Sequence, residues 1–105
     1  MRWIGRTGRK KEKGAIIAGL KDNVAVVLED VTKGEEVRCC GSRGVCIVQA
    51  QGPIFRGHKL AIRSIAPKEN IVKCDIPIGF ASKRIKKGES VHIHNLSSFV
   101  QEGSL

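Results

Sequence analysis

The chain has 105 residues, a formal net charge of +9 and an apolar share of 41%, with three Phe, one Trp and no Tyr. That length suits one domain with an aliphatic core and is too short for a core plus a second catalytic domain. No apolar run approaches the roughly 20 residues of a membrane-spanning helix, and no apolar signal segment follows the basic start, so a soluble, unexported protein without a membrane partner is expected.

Four cysteines (Cys39, Cys40, Cys46, Cys74) lack any C-x-x-C spacing. They read as reduced, structural thiols behaving as small hydrophobes, which favours the cytoplasm. A surface this basic attracts anions of every kind: nucleic acid, anionic lipid, an acidic subunit or a carboxylate substrate.

In chain order, residues 1–14 read as a basic, flexible tail, because Arg6 to Lys13 combines charge and glycine with no apolar residue. From Ala15 the pattern turns to short apolar stretches of period two, and residues 15–97 read as one domain followed by a tail or linker at 98–105. Asn23 to Leu28 and Val45 to Val48 are β-branched runs suited to strands. Gly41-Ser42-Arg43-Gly44 reads as the turn of a hairpin. Gly52-Pro53 breaks the chain, and His58 to Ile65 has room for at most two helical turns before Pro67.

A repeat runs through this pattern. Val31-Thr32-Lys33-Gly34-Glu35-Glu36-Val37 recurs as Ile65-Ala66-Pro67-Lys68-Glu69-Asn70-Ile71 and as Ile85-Lys86-Lys87-Gly88-Glu89-Ser90-Val91. Each copy has a β-branched residue, a polar turn, a glutamate and a β-branched residue that opens a strand. Pro67 fixes φ for the second position of a type I or II turn, and Gly34 and Gly88 permit positive φ in theirs. The copies are too short and unevenly spaced for a solenoid. Short strands joined by similar turns, all-β with little helix, are the expectation.

Two places offer chemistry. Along Ser90 to Leu96 a strand would set Val91, Ile93 and Asn95 on one face and His92 with His94 on the other. Two neighbouring imidazoles can share a metal, bind a carboxylate or pass a proton near neutral pH, or simply form a solvated polar face. The second place is Gly57-His58-Lys59, where a lysine charge and a histidine donor beside glycine suit an anion; an ordinary basic turn is the plainer reading. The chain has no nucleophile elbow, P-loop, dinucleotide fingerprint or H-E-x-x-H motif, and its aromatics are too scattered for a base-stacking platform.

Four motifs together, Asp22-Asn23-Val24-Ala25-Val26, Gly57-His58-Lys59-Leu60-Ala61, Ile78-Gly79-Phe80-Ala81 and Gly88 to Asn95, resemble in order and spacing the amino-terminal domain of altronate and galactarate dehydratases. The resemblance covers about Ala15 to Leu96. It implies the small all-β SAF-type β-clip fold, a sugar-acid substrate, and elimination of water in a site completed by a large dehydratase domain or subunit, with Fe2+ or Mn2+ in the complete enzyme. By motif position it implies substrate contacts from His58, Lys59 and Asn95 and metal contacts from His92 and His94. The same unit occurs as a separate subunit in sulfolactate sulfo-lyase. The paired histidines favour the altronate-like branch. Lys73-Cys74-Asp75 departs from the family's Lys-Tyr-Gly, which removes a glycine from that loop. The expected protein is inactive alone and does not bind nucleic acid, with homo-oligomerisation open. A non-enzymatic polyanion- or acid-binding module is the competing class.

Overall fold

A computed structural model of the chain describes residues 12–99, which contain strands and turns and no helix. The strands are β1 (Lys13–Ile16), β2 (Val24–Val27), β3 (Glu36–Gly41), β4 (Gly44–Gln49), β5 (Lys59–Ala61), β6 (Asn70–Lys73), β7 (Ile76–Ala81), β8 (Ser90–Val91) and β9 (Leu96–Ser98). A six-stranded sheet runs β4-β3-β1-β2-β5-β8, and a three-stranded sheet runs β9-β7-β6. All pairings are antiparallel except β1 with β3. The all-β expectation holds, and the Gly41 to Gly44 hairpin turn joins β3 to β4. His58 to Ile65 is β5 and the turn after it, with no helical turn. Pairing reaches slightly beyond the expected domain at both ends, since β1 starts at Lys13 and β9 ends at Ser98. The basic stretch before Glu12 lies outside the described residues.

The repeat explains how so little regular structure holds together. In each copy the glutamate carboxylate accepts from the backbone N–H three residues back: Glu35 from Thr32 (2.8 Å), Glu69 from Ala66 (2.9 Å) and Glu89 from Lys86 (2.8 Å). The third turn residue has positive φ in all three, Gly34 at 88°, Lys68 at 72° and Gly88 at 92°, as a type II turn requires. Arg63 adds a 2.6 Å ion pair to Glu69. The bounding residues Val31, Val37, Ile65, Ile71, Ile85 and Val91 are buried.

A fourth copy is visible in the structure, Ile54-Phe55-Arg56-Gly57-His58-Lys59-Leu60. His58 N–H donates to the Phe55 carbonyl at 2.9 Å, Gly57 has φ of 86°, and Ile54 and Leu60 are buried. All four turns dock alike, through a pair of backbone bonds to one buried residue: Gly34 and Glu35 to Ala50, Gly57 and His58 to Val27, Lys68 and Glu69 to Ala81, Gly88 and Glu89 to Ala61. The turns also pair with each other, Val31 with Ile54 and Ile65 with Ile85. Each pair closes over its own core, the first around Val27, Val37 and Leu60, the second around Ile71, Ala81 and Val91.

Buried Asn23 joins the two sheets. Its amide donates to the Asn70 carbonyl and accepts from Val72 N–H, both at 2.9 Å. Next to it, Asp22 accepts from the N–H groups of Gly19, Cys74 and Asp75 at 2.8, 2.9 and 2.8 Å. Those bonds hold Cys74 (φ 55°) and Asp75 (φ 64°) in the left-handed region, so the β6–β7 turn adopts the conformation glycine would favour without one. Burial raises the Asp22 carboxyl, and the backbone donors outweigh it and leave it below its ordinary value.

The cysteine expectation holds in part. All four are free, but only Cys39 is buried, with its thiol pushed up to about 12 by that burial and by Cys46 nearby; Cys46 and Cys74 are exposed. No helix of the described residues is long and apolar enough to cross a membrane.

Candidate functional site

The site forms where β5 meets β8. Their register pairs Lys59 with Val91 and Leu60 with Ser90, so one further step sets His58 opposite His92. The two rings lie 4.5 Å apart between centroids, tilted by 31°, and Phe55 meets His58 edge-on at 6.0 Å. His58, His92 and His94 line a cavity of about 370 Å³ together with Gln51, Phe55, Ser90 and Glu89, whose carboxylate accepts from Lys86 N–H.

The expected strand from Val91 to Asn95 is not formed. β8 ends at Val91, and residues 92–95 turn, with Asn95 and Leu96 N–H both donating to the His92 carbonyl at 3.0 and 2.8 Å. The cause is Asn95, whose side chain accepts from His92 N–H at 3.0 Å and donates to the Ser90 carbonyl at 2.9 Å, a local bonding pattern that competes with a sheet ladder. Ile93, expected on one strand face with buried Val91, is therefore 81% exposed. His92 faces His58 rather than sharing a strand face with His94.

Of the residues expected to contact substrate, His58 lines the cavity. Lys59, next along β5, is half-buried and is not among the lining residues. Burial, then Lys73, lowers its ammonium pKa, and no ion pair of Lys59 occurs among the described residues. Asn95 is 2% exposed with both amide atoms engaged, so it shapes the turn that carries His92. His92 is held below the ordinary imidazole value, first by partial desolvation and then by the charges of His58, Lys59 and His94.

His58 occupies the position that a capping glutamate fills in the other three turns. Its turn takes support elsewhere, Arg56 N–H donating to Asp30 at 2.9 Å. The imidazole is thereby left for the cavity. The cavity wall from Gln51 to Phe55 was hidden in the sequence by Gly52-Pro53, which reads as a chain break; the only signal was the spacing of the fourth turn.

No three His, Cys, Asp or Glu side chains converge among the described residues as a metal site would need. A complete Fe2+ or Mn2+ site is thus not present within them, and the expected His92 and His94 ligands lack further ligands. A second cavity, about 300 Å³, lies beside the β3–β4 hairpin, but its carboxylate, Asp22, is committed to backbone N–H groups.

The model of the altronate/galactarate dehydratase SAF domain matches residues 13–99. An altronate dehydratase of Bacillus subtilis (strain 168) is 41% identical over 75 residues, 71% of this chain and 14% of the relative. An altronate dehydratase of Escherichia coli (strain K12) is 40% identical over 74 residues, 70% of this chain and 14% of the relative. The alpha subunit of (2R)-sulfolactate sulfo-lyase from Chromohalobacter salexigens is 45% identical over 42 residues, 40% of this chain and 45% of the subunit. This chain therefore spans 14% of the length of either dehydratase. A family model that covers nearly all the described residues, on an all-β fold of paired turns, makes this chain a member of the altronate/galactarate dehydratase SAF domain family.

Proposed function

We propose that the chain is the small SAF unit of a hydro-lyase that removes water from a sugar acid such as altronate, its site completed by a larger catalytic polypeptide. One observation carries the reading: of the two turns that line the cavity, one keeps its capping Glu89 and the other has His58 in that position, with its ring against His92. Water elimination next to a carboxylate needs a base for the carbon-bound proton, a proton donor for the departing hydroxyl and positive or hydrogen-bond-donating groups for the charge that develops. His92, whose value is lowered by partial desolvation, serves as a proton acceptor, while His58 and His94 offer ring N–H donors to the carboxylate and Lys59 adds a positive charge nearby. Asn95 positions His92 without touching substrate. In the complete enzyme His92 and His94 would give Fe2+ or Mn2+ at most part of its ligand set, with the rest supplied by the larger polypeptide, because no three His, Cys, Asp or Glu side chains converge among the described residues. Four free thiols suit a reducing compartment, which supports a cytoplasmic location.

The likeness to the sulfo-lyase alpha subunit, of which the match covers 45%, favours a second reading as a separate small subunit. Grafting residues 13–99 in place of the matched segment of the Bacillus subtilis altronate dehydratase separates the readings. Release of water from altronate by the graft supports the first. A graft that folds yet gains nothing over the trimmed enzyme contradicts it, and release of sulfite from sulfolactate instead would favour the second.

A further inference from the structure

The β3–β4 hairpin brings together two thiols that the histidine site does not use. In its antiparallel register Cys39 stands directly opposite Cys46, two steps from the buried pair Val37 and Val48, so by strand alternation both thiols project from the face that carries the core. Residues directly opposite in such a pair have Cα atoms about 4.5 to 5.5 Å apart, inside the roughly 4.4 to 6.8 Å that a disulfide spans. The Cys39 thiol is within hydrogen-bond reach of Cys46. Cys40 stands opposite Val45 and belongs to the other face, and Cys74 lies in the β6–β7 turn of the other sheet. Cys39 is fully buried, whereas Cys46 is exposed and lines the second cavity, about 300 Å³, with Ser42 and Arg43 of the hairpin tip. No ion pair of Arg43 occurs among the described residues. Asp22 also lines the cavity, with its carboxylate held by three backbone N–H groups. The cavity thus sets a guanidinium beside an open thiol that is backed by a second, closed one.

We propose that Cys46 and Cys39 form a two-thiol redox site that takes a small disulfide carrying carboxylate groups and closes into a Cys39–Cys46 disulfide. Cys46, its proton lost to solvent, attacks one sulfur of the small disulfide; a mixed disulfide forms, and the first small thiolate leaves and takes a proton back. Cys39 then gives up its proton and attacks the Cys46 sulfur. The Cys39–Cys46 bond forms, the mixed bond breaks, and the second small thiol leaves with that proton. Two protein thiols are oxidised and one small disulfide is reduced to two thiols. Burial, and after it Cys46, pushes the Cys39 thiol up to about 12, so exposed Cys46 reacts first; the part that Cys46 plays falls away once its sulfur is in the mixed disulfide. Arg43 receives the carboxylates of the incoming disulfide.

The reduced full chain is incubated with oxidised glutathione, quenched with acid, alkylated and cut with trypsin. The expected product joins the peptide 39–43 to the peptide 44–56 by a bond that dithiothreitol opens. Cys40→Ser keeps the link, and Cys39→Ser stops at the mixed disulfide of Cys46 with glutathione. Followed by intact mass, Arg43→Gln slows the reaction with oxidised glutathione about fivefold, the size of one exposed charge pair, and leaves the rate with uncharged hydroxyethyl disulfide unchanged. A wild-type chain that forms no link overturns the proposal. So does a link that survives Cys39→Ser or is lost in Cys40→Ser, a disulfide between two chains through Cys46, or an Arg43→Gln chain that responds alike to both small disulfides.

Discussion

His58 and Asn95 exchange the roles that a reading by type would give them. The buried asparagine is a structural part, and the histidine at a structural position is free for chemistry. Asn95→Ala strips the partners from a buried N–H and a carbonyl and should cost roughly 2 kcal/mol, read as a lower urea midpoint. His58→Glu restores the carboxylate that caps the other three turns, so the thermal midpoint should stay level or rise. A clear fall would show that His58 is needed for the fold rather than spared from it. The titrating groups set the pH dependence. Asp22, Glu35 and Glu69 have lowered values, so their stabilising bonds are intact above the ordinary carboxylate range and are lost as pH falls through the folded values, below about 4. His92 is a base with a lowered value, so the folded state resists its protonation and a small loss of stability begins as pH drops below 6.5. Urea midpoints measured across this range should show a shallow fall and then a steep one, with His92→Gln removing the first.

At the scale of elements, the four turns separate conformational strain from crowding. Gly34 has φ of 88° and nothing within 4 Å of an added Cβ, so Gly34→Ala should cost only the left-handed penalty, about 1 kcal/mol. Gly88 has nearly the same φ, but its added Cβ would strike the Gln49 carbonyl, so Gly88→Ala should cost about 3 kcal/mol. Equal losses in chemical denaturation would refute the close approach of Gly88 to the Gln49 carbonyl. Three of the turns were legible because a glutamate marks them. The fourth was not, because the substitution that frees His58 for the cavity also erases its signature. Alternation in Val91-His92-Ile93-His94-Asn95 pointed to a strand, and the pattern failed because a single asparagine can satisfy backbone groups that a ladder would otherwise take. The glycine missing after Lys73 was also misleading, since Asp22 holds Cys74 and Asp75 from a distance of more than fifty residues.

Across the whole molecule, paired turns build two small cores and bring one end of β5 beside one end of β8. Sequence motifs placed His58 and His92 in one family pattern, yet only the register between those short strands makes them neighbours. The larger part of the proposed enzyme is not in this chain, which spans 14% of the dehydratases it resembles. The most direct test is therefore the turnover of altronate by the Bacillus subtilis enzyme carrying residues 13–99 of this chain, with and without His58→Glu. A carboxylate contact from His58 predicts a folded, fully assembled variant whose kcat/KM falls by about a hundredfold or more, because a glutamate there repels the substrate. Unchanged kcat/KM in that variant would contradict the assignment of this turn to the active site.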